Sequence, residues 1–167
     1  MTKKSDKFTI KPITEAQLPK CLEVIQKSFT TVAKDFGLTE QNFPKHTSFM
    51  KLEKLKYQFR NGYWMYGYYD GGIIFGFFSL NYKGNGAYEL NNLAVHPENR
   101  HNGHGKKLIE FAKKKVVELG GRIIEISIIE ENKVLKNWYA ENGFIHTGTI
   151  KFSHQPFTAG YMKWEAK

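Results

Sequence analysis

The segment LAVHPENRHNGHGK, Leu93 to Lys106, is the part of the chain that decides its fold. Its apolar start is typical of a β-strand, and two glycines separate that strand from a helix with apolar residues at three- and four-residue steps. The first turn of a helix leaves backbone N–H groups without intrahelical acceptors and carries a partial positive charge. The segment therefore predicts a strand, a turn and a helix whose start can bind an anion such as a phosphate.

Gly103 and Gly105 mark the turn that would form this anion site. Glycine lacks a Cβ atom, so a phosphate can approach the backbone closely, and positive φ angles become accessible. Two common nucleotide-binding motifs do not fit, because Lys107 replaces the hydroxyl residue of a P-loop and Leu108 replaces the third glycine of a dinucleotide fingerprint. On these residues alone, an ordinary strand-to-helix turn that binds nothing remains the alternative.

The spacing of the segment resembles a known family signature. Written as Val95-x-Pro97-x-x-Arg100-x-x-Gly103-x-Gly105, it is similar to the acetyl-coenzyme A signature of the GNAT superfamily of N-acetyltransferases. The resemblance implies that the anion is the pyrophosphate of coenzyme A.

A second GNAT motif follows downstream, in which an asparagine precedes a tyrosine and a glycine–phenylalanine pair at fixed intervals. Here these residues are Asn132, Tyr139, Gly143 and Phe144. Two motifs in the correct order and separation are more specific than one. The resemblance is strongest from Tyr88 to Phe144 and covers most of the chain.

The GNAT resemblance implies an α+β, three-layer fold: a mixed, mostly antiparallel, twisted sheet of about seven strands flanked by about four helices. The residues agree, since Asp70-Gly71-Gly72 and Asn85-Gly86 predict hairpin turns between antiparallel strands. The apolar positions change parity between Leu90 and Leu93, which predicts a β-bulge near Asn91-Asn92. In the GNAT fold such a bulge helps to splay strands 4 and 5 and opens a V-shaped slot for the cofactor.

Local patterns place the remaining elements within one predicted domain, residues 1–167. A capping box at Thr14–Gln17 begins a helix after a short strand. Further predictions are a strand at Lys7–Ile13, a helix at Thr47–Arg60 and a strand at Arg122–Ile129.

Composition narrows the class of protein further. The net charge is +9, from 25 Lys and Arg against 16 Asp and Glu, but the lysines are scattered and no nucleic-acid motif appears, so no nucleic-acid partner is expected. No apolar run approaches the ~20 residues that span a bilayer, and Met1–Lys7 leads into no hydrophobic segment, which predicts a cytoplasmic protein without membrane contact. The single cysteine, Cys21, is predicted to pack inside a helix interface.

The GNAT resemblance implies acetyl transfer from acetyl-coenzyme A to an amine, with two catalytic residues. Glu89 lies where some members carry a catalytic glutamate, and would take the ammonium proton directly or through water. A solvated, outward-facing carboxylate is the alternative at this position. Tyr139 would protonate the departing thiolate.

The resemblance also implies the cofactor contacts. The backbone N–H of Val95 would stabilise the oxyanion, Asn132 would both cap its helix and contact the pantetheine arm, and Arg100 would assist the backbone amides around the pyrophosphate. The implied acetyl-coenzyme A-binding residues are Leu93, Ala94, Val95, Arg100, His101, Asn102, Gly103, His104, Gly105, Lys106, Asn132 and Tyr139.

No metal site is expected, although His96, His101 and His104 lie close together in sequence. They flank the predicted cofactor turn, where their side chains would point outward, and no Cys, Asp or Glu spacing completes a ligand set.

The acceptor is an amine that the sequence does not identify. Four segments would surround it: the first two helices, the connection around Phe36 and Phe43, and the last hairpin near residues 154–157. A catalytically inactive acyl-coenzyme A-binding domain and a basic nucleic-acid-binding module are the competing functions, and a homodimer is left open.

Overall fold

A computed structural model describes residues 7–167. The prediction of a cytoplasmic protein rests in part on residues 1–6, which lie outside the described residues. The described residues form seven strands and four α-helices. In chain order these are β1 (Phe8–Pro12), α1 (Leu18–Asp35), α2 (Leu52–Arg60), β2 (Trp64–Asp70), β3 (Ile73–Gly84), β4 (Ala87–Val95), α3 (His104–Glu118), β5 (Ile123–Ile129), α4 (Lys133–Glu141), β6 (Ile145–Ile150) and β7 (Ala159–Glu165).

The seven strands form one mixed sheet in the order β1-β2-β3-β4-β5-β7-β6. Only β4 and β5 run parallel, and every other neighbouring pair is antiparallel. Apolar residues of α1 and α2 pack on one face of the sheet, and those of α3 and α4 pack on the other. The predicted GNAT-type fold is therefore confirmed.

The predicted turns and the bulge are also present. Gly71-Gly72 connects β2 to β3, and Asn85-Gly86 connects β3 to β4, with positive φ at both of the latter residues. Phe77 pairs with Ala94 whereas Ser79 pairs with Asn91, so β4 carries one residue more than β3 across this interval. The extra residue bends β4 at the position that the change of parity predicts.

Strands β4 and β5 separate soon after they begin. They pair only from Ala87 to Glu89, opposite Ile123 to Glu125. Beyond this point β5 continues against β7, while the edge of β4 that faces β5 loses its partner. The result is a slot between the C-terminal parts of two strands in the middle of the sheet.

The helix predicted at Thr47–Arg60 is wrong as a single element. A 3-10 turn covers Thr47–Phe49, Met50 and Lys51 are extended, and α2 begins only at Leu52. Met50 is buried, and its carbonyl accepts a hydrogen bond from Gln26 Nε2 at 2.9 Å. Burial of Met50 against α1 therefore overrides the local helical pattern.

The capping box that was predicted before α1 is confirmed. The Thr14 backbone N–H donates to Gln17 Oε1 at 2.8 Å, and one 3-10 turn precedes the α-helix. Cys21 is fully buried on this helix, and burial raises the pKa of its thiol to about 12. Within residues 7–167, none of the helices is both long and apolar enough to cross a membrane.

Candidate functional site

The turn before α3 presents a run of free backbone donors. None of the six N–H groups of residues 101–106 donates to any group in the described part of the chain. The first bond of the helix runs from the N–H of Lys107 to the carbonyl of Gly103 at 3.2 Å. Because α3 is 15 residues long, its N-terminus adds a partial positive charge to these donors. This cradle, residues 101–106, fits a polyphosphate anion.

Glycine is needed at the two positions of the cradle for different physical reasons. Gly103 has φ +78°, and a Cβ atom there would meet no other atom within 4 Å, so its backbone conformation requires glycine. A Cβ atom on Gly105 would lie 3.0 Å from Cζ2 of Trp138 on α4. Gly105 therefore also permits close packing between α3 and α4, which the turn motif alone does not reveal.

The side chain of Arg100 binds α1. Its guanidinium donates to Thr31 Oγ1 at 2.9 Å, to the Ser28 carbonyl at 2.7 Å and to Ser28 Oγ at 3.1 Å. The family resemblance implied an anion contact for this residue. In the structure the guanidinium instead joins the segment before the cradle to the helix on the other side of the sheet.

The predicted outward orientation is wrong for His104. Its ring is 7% exposed, packs edge-on against Phe8, Tyr68 and Phe75, and lies 3.2 Å from the Tyr68 hydroxyl through Nδ1. Burial, helped by the nearby Lys107, lowers the pKa of the imidazole. His104 is thus a core residue, and only its backbone belongs to the cradle. Over residues 7–167, no three His, Cys, Asp or Glu side chains are grouped so as to hold a metal ion.

The free edge of β4 faces the slot. The N–H of His96 donates to the carbonyl of Phe75 on β3 at 2.7 Å. Hydrogen-bonding direction alternates along an antiparallel strand, so Ala94 also points its backbone groups at β3. Val95, and Leu93 two residues before it, direct theirs towards the slot. Two of the three predicted β4 residues therefore offer backbone groups there, whereas Ala94 is buried beneath α1.

Tyr139 and Asn132 lie on and before α4. Asn132 Oδ1 accepts a hydrogen bond from the Leu135 N–H at 3.2 Å, as expected of the N-cap residue. The Tyr139 ring is 7% exposed between Trp138 and Phe144, with centroid distances of 5.0 and 5.3 Å. Burial strongly raises the pKa of its phenol, and within residues 7–167 the hydroxyl has no hydrogen-bond partner. A protonated, uncommitted phenol is suited to donate a proton.

Glu89 lies at the last β4–β5 pair before the strands separate. Its Cα partner on β5 is Glu125. Side chains alternate along a strand, so Glu89 faces away from Tyr88 and Leu90, which are buried on the α3 side. Burial and the charge of Glu89 together raise the pKa of Tyr63, which packs against the apolar cluster of α1 and α2. Glu89 therefore lies on the α1 and α2 face, whereas Tyr139 belongs to the core on the other face.

A group of aromatic side chains, which we call the aromatic wall, borders the slot on the α1 face. The His46 ring centroid lies 6.1 Å from Phe29, 6.3 Å from Phe43 and 6.1 Å from Phe49, and Phe43 packs against Phe157 at 5.1 Å. Sequence reasoning pointed to the segments around Phe43 and residues 154–157 but missed His46. The signal available in the sequence was a histidine within a phenylalanine-rich stretch, between Phe43 and Phe49.

Comparison with known proteins agrees with this geometry. Residues 25–144 match the family described as Acetyltransferase (GNAT) family. No curated protein matches the chain.

Many solved structures share the fold. The ribosomal-protein-S18-alanine N-acetyltransferase from Escherichia coli has a TM-score of 0.77 at 15% identity, over 96% of this chain and 94% of that chain. The PaiA N-acetyltransferase from Thermoplasma acidophilum, in complex with coenzyme A, has a TM-score of 0.75 at 20% identity, over 95% of this chain and 98% of that chain. A spermidine N-acetyltransferase chimera of Vibrio cholerae SpeG and hSSAT has a TM-score of 0.73 at 14% identity, over 96% of both chains.

Proposed function

We propose that this chain, which belongs to the acetyltransferase (GNAT) family, transfers an acetyl group from acetyl-coenzyme A to a primary amine. The observation that carries the proposal is the run of six unpaired backbone N–H groups beside the slot between β4 and β5. An anion cradle and a free strand edge together match a ligand that combines a pyrophosphate with an amide-containing arm.

The cradle residues 101–106 would hold the pyrophosphate through their backbone amides. Leu93 and Val95 would pair with the pantetheine amides along the free edge of β4, and Asn132 would contact the same arm. The structure of PaiA contains coenzyme A, which supports the choice of ligand. Bound in this way, acetyl-coenzyme A supplies the thioester that makes the acetyl group reactive.

The chain's own residues would then handle the protons and the developing charge. Glu89 would accept a proton from the acceptor's ammonium, directly or through water, so that the neutral nitrogen attacks the acetyl carbonyl carbon. The backbone N–H of Val95 would donate to the carbonyl oxygen as negative charge develops on it.

Tyr139 would complete the transfer as the carbon–sulfur bond breaks. Its hydroxyl would donate a proton to the sulfur, which leaves as a thiol. The second proton that the nitrogen loses on becoming an amide would restore the phenol through water. The carboxylate and the phenol would thus act from the two faces of the sheet.

Titration calorimetry with acetyl-coenzyme A tests the donor half of this proposal. We expect binding at micromolar cofactor, and its absence would overturn the proposal as a whole. Binding without thiol release across a broad panel of amines would instead indicate the inactive acyl-coenzyme A-binding domain.

Glu89→Gln tests the base once an amine substrate is in hand. Thiol release at neutral pH should fall by about 100-fold or more, as expected for loss of a general base. Glu125→Gln is the matched control, because Glu125 is the Cα partner of Glu89 on the same face and has no assigned role. Equal turnover in the Glu89 variant and the wild type would remove Glu89 from its role.

A further inference from the structure

The aromatic wall spans the two strands that flank the slot. Phe29 belongs to α1, which packs against β4. Phe157 precedes β7, which pairs with β5, and it shares an apolar cluster with Phe43 and Ile129 at the end of β5. The wall therefore lies over the part of the slot where the strands have separated, on the same face as Glu89.

The contacts of His46 with Ser48 indicate which of its nitrogens carries the proton. Nδ1 accepts from the Ser48 N–H at 3.3 Å, so the Ser48 hydroxyl at 2.7 Å must donate to the same nitrogen. Burial lowers the pKa of the imidazole, which favours the neutral ring. The neutral ring then carries its proton on Nε2.

The Nε2–H of His46 is a donor that has no acceptor in the described part of the chain and retains access to solvent. The residue is 8% exposed, and among residues 7–167 no group accepts from Nε2. The neighbouring rings of Phe29, Phe43 and Phe49 contain no oxygen. A ligand that covers the wall would remove Nε2–H from water. Because a buried donor that is left unpaired is unfavourable, a ligand that brings an oxygen to this point would bind better than one that does not.

We propose that the aromatic wall binds the acceptor and that His46 Nε2–H donates to a carbonyl oxygen of that molecule. The preferred acceptor is then an amine that carries both an aromatic-sized apolar group and a carbonyl oxygen, such as an amino-acid amide or a peptide N-terminus. This inference rests on the proposed acetyl transfer and specifies its substrate class.

Polyamines fit the wall less well. Each of their ammonium groups has only donors and cannot pair with Nε2–H. Their slender chains would also leave much of the phenylalanine surface exposed to water, whereas a phenyl group would bury it. An amide group on an apolar body meets both requirements.

Four primary amines separate the two requirements. Phenylalanine amide has the ring and the carbonyl, phenethylamine only the ring, glycine amide only the carbonyl, and 1,4-diaminobutane neither. We expect kcat/KM for thiol release to be highest for phenylalanine amide. With kcat/KM expressed per unprotonated amine at the assay pH, it should exceed that for phenethylamine by about three- to tenfold, the effect of one hydrogen bond.

Two variants of His46 assign that preference to its Nε2–H. In His46→Asn, the shorter side chain keeps an oxygen near the position of Nδ1 for Ser48 but has no donor at Nε2. We expect the ratio between phenylalanine amide and phenethylamine to fall to about one. His46→Gln restores a donor near Nε2 and should recover most of the ratio, and urea unfolding of both variants checks that they are folded.

A binding measurement separates failure of this inference from failure of the proposed function. N-acetylphenylalanine amide, the expected product, is titrated into protein saturated with coenzyme A. Tighter binding to the wild type than to His46→Asn supports the inference without requiring turnover. If coenzyme A binds but the two proteins bind the product equally, the role of His46 is wrong and acetyl transfer stands. If coenzyme A itself does not bind, both proposals fail.

Discussion

The cradle and the aromatic wall border the same slot but are built from different groups. The cradle consists of backbone N–H groups from six successive residues, whereas the wall consists of side chains from α1, the segment before α2 and the segment before β7. Backbone donors require only a few residue types at fixed local spacing, so the cradle appears as a motif. A wall assembled from three distant segments leaves no local spacing to recognise. Under the proposed function, acetyl-coenzyme A would be recognised by backbone conformation and the acceptor amine by side-chain chemistry.

Tyr139→Phe would have the largest effect. It tests whether a reactive side chain, and not only the backbone cradle, acts on acetyl-coenzyme A. We expect kcat to fall by about 100-fold or more, since the substitution removes the proposed proton donor but keeps the ring packing. The measurement is thiol release at saturating acetyl-coenzyme A, with Tyr82→Phe, a change at an exposed tyrosine, as the control. A kcat equal to that of the wild type would restrict the donor side to backbone groups.

The pH dependence of the wild type provides an independent test of Tyr139. Burial raises the pKa of its phenol above the ordinary value of 10.0, so the group stays protonated at every pH below 10. We therefore expect no loss of kcat from phenol ionisation between about pH 8 and pH 10. If such a loss appears in the wild type and disappears in Tyr139→Phe, the protonated phenol assigned to this pH range is wrong.

Arg100→Ala tests the connection between the segment before the cradle and α1, which carries part of the wall. The guanidinium donates three hydrogen bonds to Ser28 and Thr31 of α1, next to Phe29 of the wall. Their loss should lower the free energy of unfolding by about 1–3 kcal/mol, measured by urea denaturation. Arg100→Lys, which retains the charge but not the planar donor set, should recover only part of it. A large loss of coenzyme A affinity without loss of stability would show that the guanidinium serves the anion instead.

Gly103→Ala tests the conformational basis of the cradle. At φ +78° a Cβ atom is strained, so we expect a stability loss of about 1–2 kcal/mol together with weaker binding of coenzyme A. Gly72→Ala is the control, because that glycine has no positive φ and a Cβ atom there would meet nothing within 4 Å.

By contrast with Gly103→Ala, Phe43→Ala should leave coenzyme A affinity unchanged within about twofold while weakening the binding of the amine substrate. Similar losses of coenzyme A affinity in Gly103→Ala and Phe43→Ala would mean that the cradle and the aromatic wall do not bind different substrates.

Cys21→Ala would have the smallest effect on turnover, and it is recognised by how stability changes with pH. Well below pH 9 the thiol is neutral in both the folded and the unfolded state, but between pH 9 and about 12 it is mostly ionised only in the unfolded state. The wild type should therefore lose up to about 1.4 kcal/mol of stability per pH unit more than Cys21→Ala in this interval, as shown by urea denaturation at several pH values. Parallel slopes would mean that the thiol is not buried as described. Turnover at neutral pH should be unchanged in the variant.

The sequence predicted features that depend on neighbours in the chain. The Asn132 cap, the hairpin turns and the bulge near Asn92 all follow from local spacing or parity, and all are present. The helix at Thr47–Arg60 failed because burial of Met50 against α1 outweighed its local periodicity. The orientation of His104 failed for a similar reason, since its aromatic neighbours come from β1, β2 and β3.

By itself, the sequence determined the family, the order of strands and helices, and the backbone cradle, because these rest on periodicities and turn conformations encoded within short segments. Only the tertiary structure decided what side chains from distant segments do when they meet. It directed Arg100 to α1, packed Trp138 against Gly105, and left one nitrogen of His46 unpaired within the wall. The physical reason is range: adjacent residues set most of the backbone conformation, with Met50 as an exception, whereas packing across the sheet sets the partner of a side chain.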